Sequence, residues 1–73
     1  MDSAFERYCG KFGRRVRQLR VHAGLTQEDM MERGFSLRHY QRIEGGRSVT
    51  LQTVWKLAKA FGVQPRDLLP TVD

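Results

Sequence analysis

With 73 residues and 8.5 kDa, the chain has room for one domain around one small core. Its 40% hydrophobic and 29% charged letters, with no apolar run longer than two, exclude a disordered chain, a membrane span and a signal-peptide core. A single cysteine, Cys9, excludes a disulfide framework and a four-ligand structural zinc and fits a reducing cytoplasm. Thirteen Lys+Arg against eight Asp+Glu leave a net charge of +5, which favours a polyanionic partner.

Gly and Pro divide the sequence into short segments of helical period. In the first, Phe5, Cys9, Phe12, Val16, Leu19 and Ala23 form one apolar stripe. Gly24 stands where a left-handed residue ends a helix. Gly10 and Gly13 weaken the front of this helix, so the pattern is strongest from Phe12 to Ala23. From Arg7 to Arg20 there are six basic residues and no acid.

Thr26, Ser36 and Thr50 have the character of N-caps, with a side-chain oxygen able to accept from free first-turn N–H groups. Each is bracketed by apolar residues that would staple the helix entry: Leu25 and Met30, Phe35 and Tyr40, Val49 and Val54. Gln64 repeats the arrangement with Val63 and Leu68, and Pro65 takes the first helical position. These signals predict helices over 27–33, 37–44, 51–61 and 65–69, with Met30, Ile43, Val54, Leu57, Ala58 and Phe61 in the core. No segment reads as a strand. The expected fold is all-α, a compact five-helix domain spanning 1–73 in which the second and third helices form a helix-turn-helix. Residues 1–11 are an extension of the first helix or an arm.

An enzyme needs a nucleophile with its base, paired carboxylates in a cleft, or metal ligands. Two isolated histidines, His22 and His39, and one cysteine supply none of these. No enzyme, no cofactor and no metal site is expected.

Thr26-Gln27-Glu28-Asp29-Met30, Gly34-Phe35-Ser36 and Arg42-Ile43-Glu44-Gly45-Gly46 resemble, in order and nearly in spacing, the phage-repressor and Cro-like (Xre-type) helix-turn-helix family. Phe12 to Arg20 is similar to its first helix, Thr50 to Val63 to its fourth, and Asp67-Leu68-Leu69 to its fifth. The likeness covers residues 12–69. Two features depart from the family pattern: the stretch between Met30 and Ser36 is one residue shorter, and Met31 stands where a small residue is usual. One residue is about 100° of helix rotation and 1.5 Å of rise, enough to change the aim of the second helix of the motif.

The resemblance implies a sequence-specific regulator of transcription that binds double-stranded DNA, in the cytoplasm of a bacterium or on behalf of a phage. It places Leu37, Arg38 and Arg42 at base-reading positions, where an arginine can pair with guanine in a bidentate way. It places Gln27, Ser36, His39, Gln41, Arg47, Ser48 and Thr50 near the DNA backbone, and makes Arg20 and Glu44 a structural ion pair. Glu28, Asp29 and Glu32 read as a solvated face, and in some activating relatives this face touches RNA polymerase. Trp55 lies off the apolar stripe of its helix. It is either overflow of a small core or part of a homodimer surface with Leu68, Leu69 and Val72. A second functional class stays open, a protein-interaction module (an adaptor or an antitoxin component) that keeps the shape without reading DNA.

Overall fold

The computed structural model describes residues 3–72. Three α-helices run in chain order, α1 (Ser3–His22), α2 (Leu37–Glu44) and α3 (Leu51–Phe61). A 3-10 helix, Glu28–Arg33, lies between α1 and α2, and a 3-10 turn, Pro65–Asp67, follows α3. No strand occurs among the described residues.

Four helices carry the fold, not the expected five. The segment expected as a helix over 65–69 closes only one three-residue turn: Leu68 keeps helical backbone angles, but Pro70 follows two residues later, with no N–H to extend the ladder and a ring that disfavours helical angles at Leu69. The segment expected over 27–33 is helical but wound as a 3-10 helix. It is bounded tightly at both ends: Thr26 Oγ1 accepts from the Asp29 N–H at 3.1 Å while Asp29 accepts from the Thr26 N–H at 2.8 Å. Gly34 closes the other end at φ 93°, donating back to Met31. Six residues wound this way rise about 12 Å, against about 9 Å as an α-helix.

The other two caps are made as the local chemistry demands. Ser36 Oγ accepts from the His39 N–H and Thr50 Oγ1 from the Thr53 N–H, each at 3.1 Å. All four staples close on the core: Met30, Tyr40, Val54 and Leu68 are buried, with Leu25, Val49 and Val63 packed at its edge and Phe35 buried outright. Phe35 meets Tyr40 edge to face, with ring centroids 5.8 Å apart. Phe12 and Val16 from α1, Ile43 from α2, and Leu57 and Ala58 from α3 complete this single cluster. Phe61 packs against it half-buried. Each fully buried large side chain contributes about 1.5–3 kcal/mol.

α1 is continuous from Ser3, well ahead of Phe12, despite its two glycines. Gly13 is where α1 crosses the end of α2, and Gly10 lies against Gly46 just beyond it. The chain end is tied back to the same helix, with Tyr8 Oη donating to Pro70 O at 2.8 Å and Arg15 Nε to Asp67 O at 3.0 Å.

Candidate nucleic-acid interface

At 100° per residue, α2 turns Tyr40 and Ile43 into the core and leaves Arg38, Gln41 and Arg42 exposed on the opposite side. Arg38 and Arg42 are one turn apart and leave the helix together. Leu37 is half-buried at the edge of this face. His39 flanks it, its ring stacked on Phe35 at 6.3 Å and 15°. Past the end of α2, Arg42 joins His39, Arg47, Ser48 and Val49 around a cleft of about 290 Å³. Candidates expected to read bases and candidates expected to hold the backbone thus meet at one edge.

A hydrogen-bonded chain fixes α2 from behind. Arg20 reaches from α1 and donates to both Glu44 carboxylate oxygens, at 2.6 Å through Nε and 3.2 Å through Nη2, and to Leu25 O at 2.8 Å. The ion pair expected between them is present, with the two side chains 11% and 6% exposed. Burial works to raise the Glu44 pKa, but its donors, Arg20 foremost, outweigh that and hold the carboxyl below its ordinary value. The buried Tyr40 hydroxyl lies beside the Arg20–Glu44 pair, and burial above all, with the Glu44 carboxylate next to it, raises its pKa, so it stays protonated.

Gln27 extends this chain to the surface. Its Nε2 donates to Glu44 Oε1 at 3.1 Å, and its Oε1 accepts from Gln41 Nε2 at 3.2 Å. Two residues expected separately at the DNA backbone are therefore one unit, locked to the ion pair. Nothing in the spacing of two glutamines fourteen positions apart signals this. Ser36 and Thr50 use their side-chain oxygens as helix caps, and the Thr50 hydroxyl also bonds Thr53 Oγ1 at 3.1 Å. Both hydrogen bonds tie Thr50 to α3.

The residues grouped as a dimer surface separate. Leu68 is fully buried and leaves that group, since the staple with Val63 turns it inward. Trp55, Leu69 and Val72 are exposed, and Lys59 Nζ sits 5.0 Å above the Trp55 ring. The sequence reading missed Leu51, which is 80% exposed one turn before Trp55. Leu51 and Leu69 share an apolar groove of about 170 Å³ with Phe5, Tyr8 and Val49. The sequence signal was a leucine placed directly after a cap, a position that faces outward on a helix whose stripe begins at Val54. In the acidic group, Glu28 and Glu32 are exposed, whereas Asp29 is committed to the Thr26 cap. Hydrogen bonds from Thr26, its backbone N–H first, lower the Asp29 pKa.

Among the described residues, no three His, Cys, Asp or Glu side chains are grouped to hold a metal ion, and no helix is long and apolar enough to cross a membrane.

This arrangement has counterparts. Residues 11–71 match the helix-turn-helix domain family. The control protein C.BamHI of Bacillus amyloliquefaciens is 41% identical over 61 residues, 80% of this chain and 75% of that protein. An HTH-type transcriptional regulator of Sinorhizobium fredii, y4dJ, is 38% identical over 63 residues, covering 84% and 82% of the two chains. The crystal structure of the restriction-modification controller protein C.AhdI from Aeromonas hydrophila superposes with a TM-score of 0.77 at 38% identity, over 84% of this chain and 96% of that one.

Proposed function

The chain belongs to the helix-turn-helix domain family and is a DNA-binding regulator of transcription, and from that premise we propose that it reads a two-fold operator as a homodimer, with α2 in the major groove. The observation that carries this reading is the outer face of α2, where Arg38 and Arg42 stand exposed one turn apart on a helix braced by the Arg20–Glu44 pair. Arg38 and Arg42 read base edges, and Leu37 at the rim meets a thymine methyl. The Gln27–Gln41 pair, Ser36, His39, Arg47 and Ser48 hold the backbone around them. Thr50 acts there mainly by fixing the start of α3.

One helix-turn-helix covers half a site, and a module this small makes few base contacts alone. The second copy docks through Leu51, Trp55, Leu69 and Val72, four of the apolar side chains left outside the core. The likeness to the restriction-modification controller C.AhdI supports the genes of a restriction-modification system as the regulated genes, and a regulator that binds chromosomal or phage DNA in a bacterium acts in the cytoplasm. In this reading any contact with RNA polymerase would go through Glu28 and Glu32, the exposed acids of that group.

Selection of bound sites from random duplex DNA, repeated at several salt concentrations, tests this reading. It should enrich a two-fold site whose half-sites lie about one helical turn or a multiple of it apart. If no site is enriched at any salt concentration, the chain is a protein-interaction module instead.

A further inference from the structure

The helix-turn-helix match begins at residue 11, but α1 begins at Ser3, so two helical turns precede the shared motif. Their position is set by two close backbone approaches. A Cβ on Gly13 would lie 2.7 Å from Ile43 O, and a Cβ on Gly46 would lie 3.3 Å from Gly10 Cα. The front half of α1 therefore runs directly beside the loop that follows α2, the loop that carries Arg47 and Ser48.

Four arginines of α1 fall into two groups. Arg20 is bound to Glu44, and Arg15 to the Asp67 carbonyl. Arg7 and Arg14 are exposed, and with Ser3, Glu6, Gly10 and Lys11 they line one shallow cleft that Gly10 floors. They stand seven residues apart on one face, about 10 Å along the helix, far enough to meet separate phosphates. Glu6 is the single acid in that lining.

We propose that this face of α1 is a second phosphate-binding surface, on which Arg7 and Arg14 grip the DNA backbone that flanks the half-site read by α2. The proposal rests on the DNA-binding reading above and extends its footprint outward, past Arg47. It assigns a role to Arg7 in the turns that precede the shared motif and to Arg14 just inside it: they add affinity without reading sequence, because phosphates are the same at every base pair. Each phosphate neutralised by an arginine steepens the dependence of log affinity on log salt by about 0.9.

The test compares wild type with the double variant Arg7→Gln, Arg14→Gln on the selected operator, in a duplex carrying flanking base pairs and in one trimmed to the half-sites. Both side chains are exposed, and matching melting curves would establish that the variant is folded. On the long duplex the salt slope should flatten by about two, so that the wild-type advantage shrinks about tenfold between 50 and 200 mM salt. On the trimmed duplex the two proteins should bind alike, and base preference should not change on either. Hydroxyl-radical footprinting should show flanking backbone protected by wild type and open in the variant. An unchanged slope with an unchanged footprint overturns the proposal while leaving operator binding intact. A wild-type protein that binds no selected duplex would overturn the DNA-binding reading itself, and this proposal with it.

Discussion

Gly13 of α1 lies against the carbonyl oxygen of Ile43, so close that a Cβ would stand 2.7 Å from it and 2.8 Å from the next carbonyl, Glu44 O. Those are backbone atoms at the end of α2 and have little freedom to retreat. In an exposed helix, Gly to Ala gains about 1 kcal/mol. Here the overlap should reverse the sign, and Gly13→Ala should cost about 1–3 kcal/mol net. Gly10 provides the contrast, since its Cβ would meet only Arg14 Nη1, at an ordinary 3.5 Å. Gly10→Ala should therefore be neutral or stabilising. Thermal melts of the two variants check this, at about 4–8 °C per kcal/mol for a domain of this size. Equal shifts in one direction would show that the crossing is looser than these distances state.

Much of this architecture was legible because it is local. A cap and its staple lie within six consecutive residues, so Thr26, Ser36 and Thr50 could be placed from spacing alone. The winding of 28–33 could not, because apolar steps of three and four serve a 3-10 helix and an α-helix equally over so short a span. Gly10 and Gly13 argued against the front of α1 by propensity, and the tertiary contact that requires a glycine at position 13 lies thirty positions away, at Ile43. Leu68 and Leu69 are neighbours, and only the course of the turn decides which enters the core. At the site, the Arg20–Glu44 pair followed from family resemblance, but the Gln27–Gln41 link needs both helices in place before it exists.

The caps carry their own prediction. Thr26→Ala, Ser36→Ala and Thr50→Ala should each cost about 0.5–2 kcal/mol, since each removes an acceptor from a first-turn N–H. Thr26 and Asp29 serve one another, so Thr26→Ala combined with Asp29→Ala should cost less than the sum of the single changes. Denaturant midpoints of the four proteins measure this, and strict additivity would mean the two bonds form independently.

Glu44 sets a pH dependence. Its folded pKa is lowered, so between the folded value and the unfolded value near 4.3 the unfolded chain binds more protons. The stability it provides is present above that unfolded value and is lost as pH falls through the folded one. Glu44→Gln leaves Arg20 partly buried without its anion and should cost about 1–3 kcal/mol at neutral pH. The difference from wild type should narrow in acid below about pH 4. A wild-type and variant difference that stays constant from pH 7 to pH 3 would remove Glu44 from this role.

Base reading and backbone holding separate by their signatures. Arg38→Ala or Arg42→Ala should lose discrimination at one position of the half-site, by about 1–3 kcal/mol for a bidentate contact. Arg47→Ala should weaken binding to every duplex alike and flatten the salt slope by about one unit. Titrations against the operator and single-base variants distinguish the two. An Arg38→Ala protein with unchanged preferences would mean that α2 enters the groove at a different angle.

Assembly follows from what the core leaves outside. Leu51 is 80% exposed and Leu69 43%, and both border the groove shared with Phe5 and Val49, while Trp55 follows Leu51 by one turn. Leu68, the buried neighbour, is unavailable to a partner, so a variant there would unfold the domain rather than separate two copies. Leu51→Glu and Leu69→Glu change only exposed positions and should leave the monomer folded while placing a carboxylate in the centre of an apolar contact. Sedimentation should show wild type as a dimer and each variant as a monomer with an unchanged helical spectrum. Operator binding should then fall steeply, because a lone copy covers one half-site and loses the coupling of two recognition helices set about 34–36 Å apart. A wild-type monomer that binds one copy per site would refute the arrangement, and so would a dimer that survives both glutamates.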